Sequence, residues 1–232
     1  MQWFECPDRD ALTEAVSRRV HEQLDASLAT RPEAGMVLSG GGTPMPIYRR
    51  LAGMELDWSR VTAVPSDERW VPIDHAASNT GQIRGLFNET GLKVESLVPD
   101  DAPDGADPRH AEAILAYLPA PFDLVMLGMG GDAHFASLFP RSPALKTGLD
   151  PSSKVDALAL TPDPLPPEAP FARVSLSLAR LLKTRALLLV ISGEGKREVL
   201  MQAARPDADA EQMPVAALLR AAGDALEIFW SP

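Results

Sequence analysis

The chain has 232 residues, of which 45% are hydrophobic and 23% charged, as is usual for a soluble globular protein with one large core. Its formal net charge of −10 argues against a nucleic-acid groove or an anionic membrane surface as a partner, because both require a basic field. An anionic ligand would therefore have to be bound by a few well-placed arginine or lysine side chains.

The cysteine content and the N-terminal residues narrow the class further. Cys6 is the single cysteine, so no internal disulfide and no cysteine-based metal cage can form. The N-terminal residues contain neither the basic nor the apolar segment of a signal peptide, and no run of about 18 apolar residues occurs. We therefore expect a cytoplasmic protein without a membrane partner.

Hydrophobic periodicity predicts alternating helices and strands along the chain. Apolar residues recur at helical spacing between Asp8 and Leu28, with charged residues between them, which is typical of an amphipathic helix. Further helices are predicted over Met45–Met54, Ser78–Phe87, Ala111–Tyr117, Arg197–Ala204 and Pro214–Ala222. Strands are predicted over Gly35–Ser39, Arg60–Val64, Leu124–Leu127, Val155–Leu160, Arg173–Ser177, Ala186–Ile191 and Ala225–Trp230.

Three other stretches have a distinct composition. Val94–His110 is rich in Asp, Pro and Gly, which indicates a surface loop without chemistry. Pro162–Pro170 contains five prolines and indicates a rigid surface connector or a lid. The apolar residues that follow His134 indicate a short helix closed by Pro140.

Four predicted strands share one pattern, in which an apolar run ends in glycine or polar residues and then leads to a helix. These segments are MVLSGGGTP, VTAVPSDERW, LVMLGMGGDAH and ALLLVISGEGK. Strands that alternate with helices pair largely in parallel, so all four ends should lie at one edge of a sheet, where ligands bind. The expected fold class is α/β, with a doubly wound, mostly parallel or mixed sheet and helices on both faces. This Rossmann-like arrangement is expected to form a single domain over residues 1–232.

The pocket at this edge is expected to gather charged and hydrogen-bonding groups. Its predicted members are the glycine amides with Asp67, Glu68, Arg69, Asp132, His134, Arg173 and Lys196. Glycine amides, Thr43 and basic side chains suit a phosphate, and a histidine beside carboxylates suits general acid–base catalysis. Each junction also has a simpler explanation: Gly40–Gly42 as an ordinary turn, Ser66–Arg69 as a solvated loop, and His134 as an exposed side chain.

Other kinds of site find less support in the sequence. Asp132 and His134 offer two metal ligands, but no further cluster completes a set. Gly128–Gly130 lacks the third glycine of a dinucleotide fingerprint, and the first glycine run lacks the lysine of a Walker A loop. No GxSxG elbow surrounds Ser66 or Ser137, as a serine nucleophile of the α/β-hydrolase type would require.

Taken together, these motifs resemble those of the 6-phosphogluconolactonases, a family related to the glucosamine-6-phosphate deaminases/isomerases. The matching segments are LSGGGTP (Leu38–Pro44), SDERWVP (Ser66–Pro72) followed by Ser78-Asn79, LGMGGDAHFASLFP (Leu127–Pro140), RVSLS (Arg173–Ser177) and Gly193–Lys196. They occur in the family's order over most of the chain, and the central segment is long enough to be specific.

The resemblance implies hydrolysis of 6-phospho-D-glucono-1,5-lactone to 6-phosphogluconate, with no cofactor and no metal. It implies that His134 is the general base for water, that Asp132 orients or polarises its ring, and that Arg69 contacts the carbonyl oxygen or the phosphate. The groups that it implies for phosphate binding are the amides of Gly41 and Gly42, with Thr43, Arg173 and Lys196. We expect a monomer or weak homodimer whose partner is a small phosphosugar lactone.

Two alternatives remain open at this level. An amino-sugar-phosphate isomerase/deaminase would bind the same phosphate but use a carboxylate, for which Asp67 is the catalytic candidate, to move a proton between C1 and C2. A non-catalytic sugar-phosphate sensor on the same fold is the third reading, although the presence of both Asp132 and His134 argues against it.

The central motif departs from the family's D-G-H-T pattern at two positions. Ala133 stands where glycine is common, and Phe135 stands in place of the threonine. If residue 133 requires a positive φ, alanine is strained there by roughly 1 kcal/mol or more. Neither change removes a chemical group from the implied mechanism, so the expected consequence is limited to loop geometry.

Overall fold

A fully parallel seven-stranded β-sheet forms the centre of the computed structural model, which describes residues 1–162, 165 and 169–232. With strands numbered in chain order, its spatial order is β1 (Gln2–Glu5), β10 (Leu226–Ser231), β9 (Leu187–Ser192), β6 (Leu124–Leu127), β2 (Ala34–Leu38), β3 (Val61–Pro65) and β5 (Lys93–Val94). The four strands whose ends carry the glycine or polar residues, β9, β6, β2 and β3, are consecutive neighbours in this order. They run parallel, so their carboxyl ends lie at one edge of the sheet, as the sequence pattern predicted.

A second, antiparallel sheet of three strands lies beside the first, in the order β4 (Asp67–Arg69), β8 (Arg173–Leu176) and β7 (Ala157–Leu160). Ser66 joins the two sheets, since its amide donates to Leu38 at 2.8 Å and its carbonyl accepts from Leu176 at 2.9 Å. The expectation of one sheet was therefore wrong for β7 and β8. The polar residues after β3 likewise form a strand rather than a loop, because their backbone groups pair with β8.

Helices cover both faces of the large sheet, which confirms the doubly wound α/β fold. They are α1 (Arg9–Thr30), α2 (Pro44–Ala52), α3 (Asn79–Leu86), α4 (Arg109–Tyr117), α5 (Leu145–Leu149), α6 (Leu178–Leu181), α7 (Glu194–Ala203) and α8 (Val215–Ala222). Met36 and Leu38 point into a core with α1–α3, whereas Val37 points into the core on the other face with α4–α8. This alternation along buried strands explains why their sequences are apolar throughout.

Capping residues fix the start of two helices that the sequence pattern located. The side chain of Asp8 accepts a hydrogen bond from the Ala11 amide at 2.8 Å, which begins α1. Ser78 accepts from the Gly81 amide at 3.0 Å and begins α3. Pro44 occupies the first turn of α2, where the missing amide proton costs no helical hydrogen bond.

The structure corrects three further local predictions. Residues 135–140 form no helix; Ala133 and Ala136 have φ values of 68° and 47°, and the chain turns tightly between Phe135 and Leu138. The short elements β1, β5, α5 and α6 were not predicted, because each offers too few residues for a periodic pattern. Leu97 and Val98 are buried, so the 94–110 stretch is not wholly surface.

Two further expectations concern the proline-rich stretch and the absence of a membrane-spanning segment. The stretch predicted as a connector or lid, Pro162–Pro170, lies largely outside the described residues. Among the helices of the described ranges, none combines the length and the apolarity that a membrane crossing requires.

Candidate active site

The segments that follow the carboxyl ends of β9, β6, β2 and β3 line one open cleft of about 200 Å³. Both strands β4 and β8 of the small sheet also contribute to it. The lining residues are Ser39–Pro44, Asp67, Arg69, Asn79, Gly128–Gly130, His134, Ala136, Arg173, Val190 and Lys196. The convergence of the four junctions on one pocket is therefore confirmed.

The loop between β2 and α2 offers free backbone amides at a helix start. Gly41 has a φ of 102°, and a Cβ at Gly41 or Gly42 would meet only open space. Within the described residues, the amides of Gly41 and Gly42 donate to no protein acceptor. Thr43 precedes α2, and its hydroxyl is hydrogen bonded to that of Ser192 at 3.3 Å. Unpaired amides at the positive end of a helix favour an anion.

Two arginines face each other across the small sheet and line the same cleft. Arg69 on β4 is the direct register partner of Arg173 on β8, a placement that is unfavourable because like charges oppose each other. The Nε atoms of both side chains are buried and have no hydrogen-bond partner within the described part of the chain. Burial lowers the pKa of Arg173, and Asp67 offsets part of that effect. An anion in the cleft would relieve the repulsion between the two guanidinium groups.

Each arginine is held in place by neutral or acidic groups. The guanidinium of Arg69 donates to the carbonyl of Ala77 at 2.6 Å. That of Arg173 donates to the carbonyl of Ala169 at 3.0 Å and lies 3.9 Å from a carboxylate oxygen of Asp67. The arginines are therefore preorganised, and an arriving anion would not have to order two flexible side chains.

Lys196 adds a third cation at the N-terminal turn of α7. It forms no ion pair in the part of the chain that the structure describes. Burial and the nearby charge of Arg9 lower the pKa of Lys196, while Asp132 acts in the opposite direction. Three cations, Arg69, Arg173 and Lys196, thus line the cleft, and the carboxylates of Asp67 and Asp132 lie near them. This local excess of positive charge occurs in a protein whose net charge is −10.

A histidine–aspartate pair lies in the loop that follows β6. The ring Nδ1 of His134 lies 2.5 Å from Oδ1 of Asp132. A carboxylate only accepts hydrogen bonds, so Nδ1 is the donor in this pair, and the neutral form of the ring has its lone pair on Nε2. Partial burial raises the pKa of Asp132, but the hydrogen bond and charge of His134 outweigh that effect and lower it overall. The pair is arranged as in a general base with its orienting carboxylate.

The loop that carries this pair has a strained and closely fitted backbone. Ala133 adopts a φ of 68°, so the condition for strain stated from the sequence is met. A Cβ on Gly130 would lie 2.2 Å from the His134 ring, so only glycine fits there. The Gly130 amide donates to the His134 carbonyl at 2.8 Å, and the Ala133 carbonyl accepts from Val215 at 2.9 Å. Phe135 is fully buried in the core, which explains why an aromatic residue is tolerated there.

Glu68, predicted as a pocket residue, points away from the cleft. Successive residues of a strand point to opposite sides, so Asp67 and Arg69 reach the pocket while Glu68 cannot. Its carboxylate instead accepts from the amides of Asn79 and Thr80, both at 2.7 Å. Burial raises the pKa of Glu68, and these hydrogen bonds offset part of the rise. Asp132 also does not line the cleft directly but lies against His134.

Three residues near the site were not predicted to contribute to it. Asn79 was assigned only to a predicted helix and a matching segment, yet it lines the cleft and donates to the Asp67 carbonyl at 2.7 Å. Ser137 was considered only as a nucleophile, and it contacts Asp67 instead. The ring of Phe139 lies 4.1 Å from that of His134 and 5.2 Å from the guanidinium of Arg173. All three residues lie in segments that match the family's motifs, and this was the signal in the sequence that could have identified them.

The histidines other than His134, namely His21, His75 and His110, lie outside the cleft. Among the described residues, no group of three or more His, Cys, Asp or Glu side chains is arranged to hold a metal ion.

Comparison with known proteins places the chain among sugar-phosphate enzymes. The sequence profile described as glucosamine-6-phosphate isomerases/6-phosphogluconolactonase matches residues 7–230. The 6-phosphogluconolactonase of Pseudomonas putida is 38% identical over 231 residues, which cover 98% of this chain and 92% of that protein. That of Rhizobium meliloti (strain 1021) is 37% identical over 237 residues, covering 100% and 98%.

A solved structure agrees with this result. The crystal structure of a 6-phosphogluconolactonase from Shewanella baltica OS155 matches with a TM-score of 0.90 and 31% identity, and covers 100% of this chain and 98% of that one. The profile and these relatives span nearly the whole chain, which confirms the resemblance inferred from the motifs. The chain therefore belongs to the family of glucosamine-6-phosphate isomerases and 6-phosphogluconolactonases.

Proposed function

We propose that the protein is a lactone hydrolase that converts 6-phospho-D-glucono-1,5-lactone to 6-phosphogluconate. The observation that carries this proposal is the joint presence, in one cleft, of an opposed arginine pair and a His134–Asp132 dyad. The first suits a phosphate, and the second suits the activation of water. Relatives at 37% to 38% identity over the full chain bear the name 6-phosphogluconolactonase.

In the proposed reaction, the phosphate binds where the positive groups are concentrated. The free amides of Gly41 and Gly42 and the hydroxyl of Thr43 hold it at the start of α2, with Lys196 and Arg173 as charged partners. Arg69, opposite Arg173, adds positive charge that favours both the phosphate and the carbonyl oxygen as it becomes negative. These contacts with the phosphate fix the position of the lactone ring relative to His134.

His134 carries the proton transfers. Its Nε2 accepts a proton from a water molecule as the water oxygen attacks the lactone carbonyl, and the carbonyl oxygen gains negative charge. Asp132 holds Nδ1 and stabilises the imidazolium that forms. When the tetrahedral intermediate collapses, the bond to the ring oxygen breaks, and the imidazolium returns its proton to that oxygen. The steps balance with the lactone and one water molecule as the reactants, since the proton taken from water is returned to the ring oxygen.

The test is hydrolysis of freshly prepared 6-phosphogluconolactone, with the spontaneous opening subtracted. We expect the wild-type protein to exceed the spontaneous rate clearly and to leave glucosamine 6-phosphate unchanged. His134→Ala should lower kcat by about 100-fold or more, the usual contribution of a general base, while retaining its affinity for 6-phosphogluconate.

The matched control is His110→Ala on α4, which removes a histidine outside the cleft and should leave turnover unchanged. Turnover of glucosamine 6-phosphate in preference to the lactone would overturn the proposed activity. Near-normal lactone turnover in His134→Ala would remove His134 as the base.

A further inference from the structure

The carboxylate of Asp67 lies in the cleft wall with both of its oxygens occupied. Asp67 is 7% exposed. The Ser66 hydroxyl donates to Oδ1 at 2.9 Å, and the Ser137 hydroxyl donates to Oδ2 at 2.5 Å. The same Oδ2 lies 3.9 Å from the guanidinium of Arg173. Each carboxylate oxygen therefore accepts one hydrogen bond from a fixed donor, and Oδ2 also faces a cation.

Ser137 reaches two strands of the small sheet at one register position. Asp67 on β4 and Ser175 on β8 are direct cross-strand partners. While its side chain donates to Asp67, the Ser137 amide donates to the Ser175 hydroxyl at 3.1 Å. Ser137 is fully buried, so these hydrogen bonds are sheltered from water. A single residue thus attaches the loop of His134 to both strands that carry the arginines.

This attachment links the position of the His134 ring to that of the Arg173 guanidinium. Ser137 follows His134 by three residues in the same loop, and Phe139 lies between the His134 ring and the Arg173 guanidinium. Loss of the Ser137 hydroxyl would leave Asp67 with one fewer donor and free it to turn. Arg173 would then lose the acidic group that fixes its guanidinium in the cleft.

We propose that Ser137 is a positioning residue that sets the affinity for the substrate's anionic group by holding Asp67 against Arg173. This inference rests on the proposed function for the identity of the anion, namely a phosphate monoester.

The test compares Ser137→Ala with wild type for turnover of the lactone and for binding of 6-phosphogluconate and inorganic phosphate by calorimetry. We expect KM and both dissociation constants to rise by about tenfold, the effect of one lost hydrogen bond to a charged group, with kcat within about twofold. Ser142→Ala is the matched control, since that serine is buried and its hydroxyl has no hydrogen-bond partner among the described residues. It should leave all three constants unchanged.

A double-mutant cycle with Asp67→Asn shows whether Ser137 acts through Asp67. If it does, Ser137→Ala added to Asp67→Asn should weaken binding by less than about twofold further. Ser137→Cys, whose thiol is a weak donor of similar size, provides the same comparison should the alanine variant not fold. Wild-type affinity in Ser137→Ala or Ser137→Cys, full additivity in the cycle, or a loss confined to kcat would each overturn the proposal.

The binding measurements separate this inference from the proposed function. A wild-type protein that binds 6-phosphogluconate but does not hydrolyse the lactone would contradict the lactonase activity alone. The ratio of dissociation constants between Ser137→Ala and wild type would still decide the role of Ser137.

Discussion

At the scale of single residues, two left-handed alanines determine where the reactive side chain points. Ala133 and Ala136 have φ values of 68° and 47°, and they flank His134 and Phe135. The turn they make sends the imidazole to the cleft and the phenyl ring into the core. Such a conformation costs alanine roughly 1–2 kcal/mol, and it persists because the surrounding hydrogen bonds determine it.

The first prediction concerns the cost of Ala133. Replacement by glycine removes strain of about 1–2 kcal/mol, but it also loses a buried methyl worth about 0.8 kcal/mol and increases unfolded-state entropy by about 0.4–1 kcal/mol. These effects nearly cancel, so Ala133→Gly should change the free energy of unfolding by less than about 1 kcal/mol. Urea denaturation followed by fluorescence measures the change.

Ala136→Gly is the control, because Ala136 has the same backbone problem but a partly exposed methyl. It should be the more stabilising of the two substitutions. A loss of more than about 2 kcal/mol in Ala133→Gly would mean that the methyl, rather than the backbone, governs stability at this position.

At the scale of elements, the buried carboxylate of Glu68 attaches α3 to β4. Glu68 accepts from the amides of Asn79 and Thr80 at the start of α3, and also from the Ser78 hydroxyl at 3.2 Å. A negative charge at a helix N-terminus is favourable. Asn79, which lines the cleft, owes its position to this attachment.

The second prediction tests that attachment. In Glu68→Gln the amide nitrogen faces a backbone N–H group, so at least one buried donor loses its acceptor. We expect the free energy of unfolding to fall by about 2–3 kcal/mol, measured by denaturant titration. Glu112→Gln is the control, since Glu112 is exposed in the first turn of α4 and should cost no more than about 0.5 kcal/mol. Equal losses in the two variants would contradict the anchoring role.

At the scale of the whole molecule, positive charge is concentrated at one edge of an acidic protein. The net charge is −10, yet Arg69, Arg173 and Lys196 meet at the ends of the sheet strands. Their mutual repulsion and partial burial are unfavourable in the free protein. A phosphate monoester bound to these cations should therefore increase the free energy of unfolding.

The third prediction follows from that arrangement. At 100 times its dissociation constant, 6-phosphogluconate should add about 2.7 kcal/mol to the free energy of unfolding and raise Tm by roughly 5–10 °C. Gluconate at the same concentration is the control, because it lacks the phosphate and should produce little shift. Equal shifts from the two ligands in a thermal denaturation series would show that the cations do not select phosphate.

The elements differ in how far they could be predicted from sequence. Strand β6 was predicted to the residue, and β2, β3 and β9 to within one residue at each end. Apolar runs that end in glycine, proline or polar residues have few other interpretations. The strand β4 was missed, since three polar residues carry no periodic signal and pair only because β8 lies beside them. Glu68 was misplaced for the same reason: its direction depends on a strand that the sequence does not indicate.

By itself the sequence determined the α/β fold, the edge at which the site lies, and the residue types that meet there. Hydrophobic periodicity and the parallel pairing of alternating strands are sufficient for that much, and the motifs identified the family. Only the tertiary structure decided that Arg69 opposes Arg173, that Ser137 occupies Asp67, and that Ala133 takes a positive φ. The first two findings are contacts between residues that are distant in the chain, and the third is a backbone torsion. Contacts and torsions of this kind are set by packing and hydrogen bonding in the folded protein.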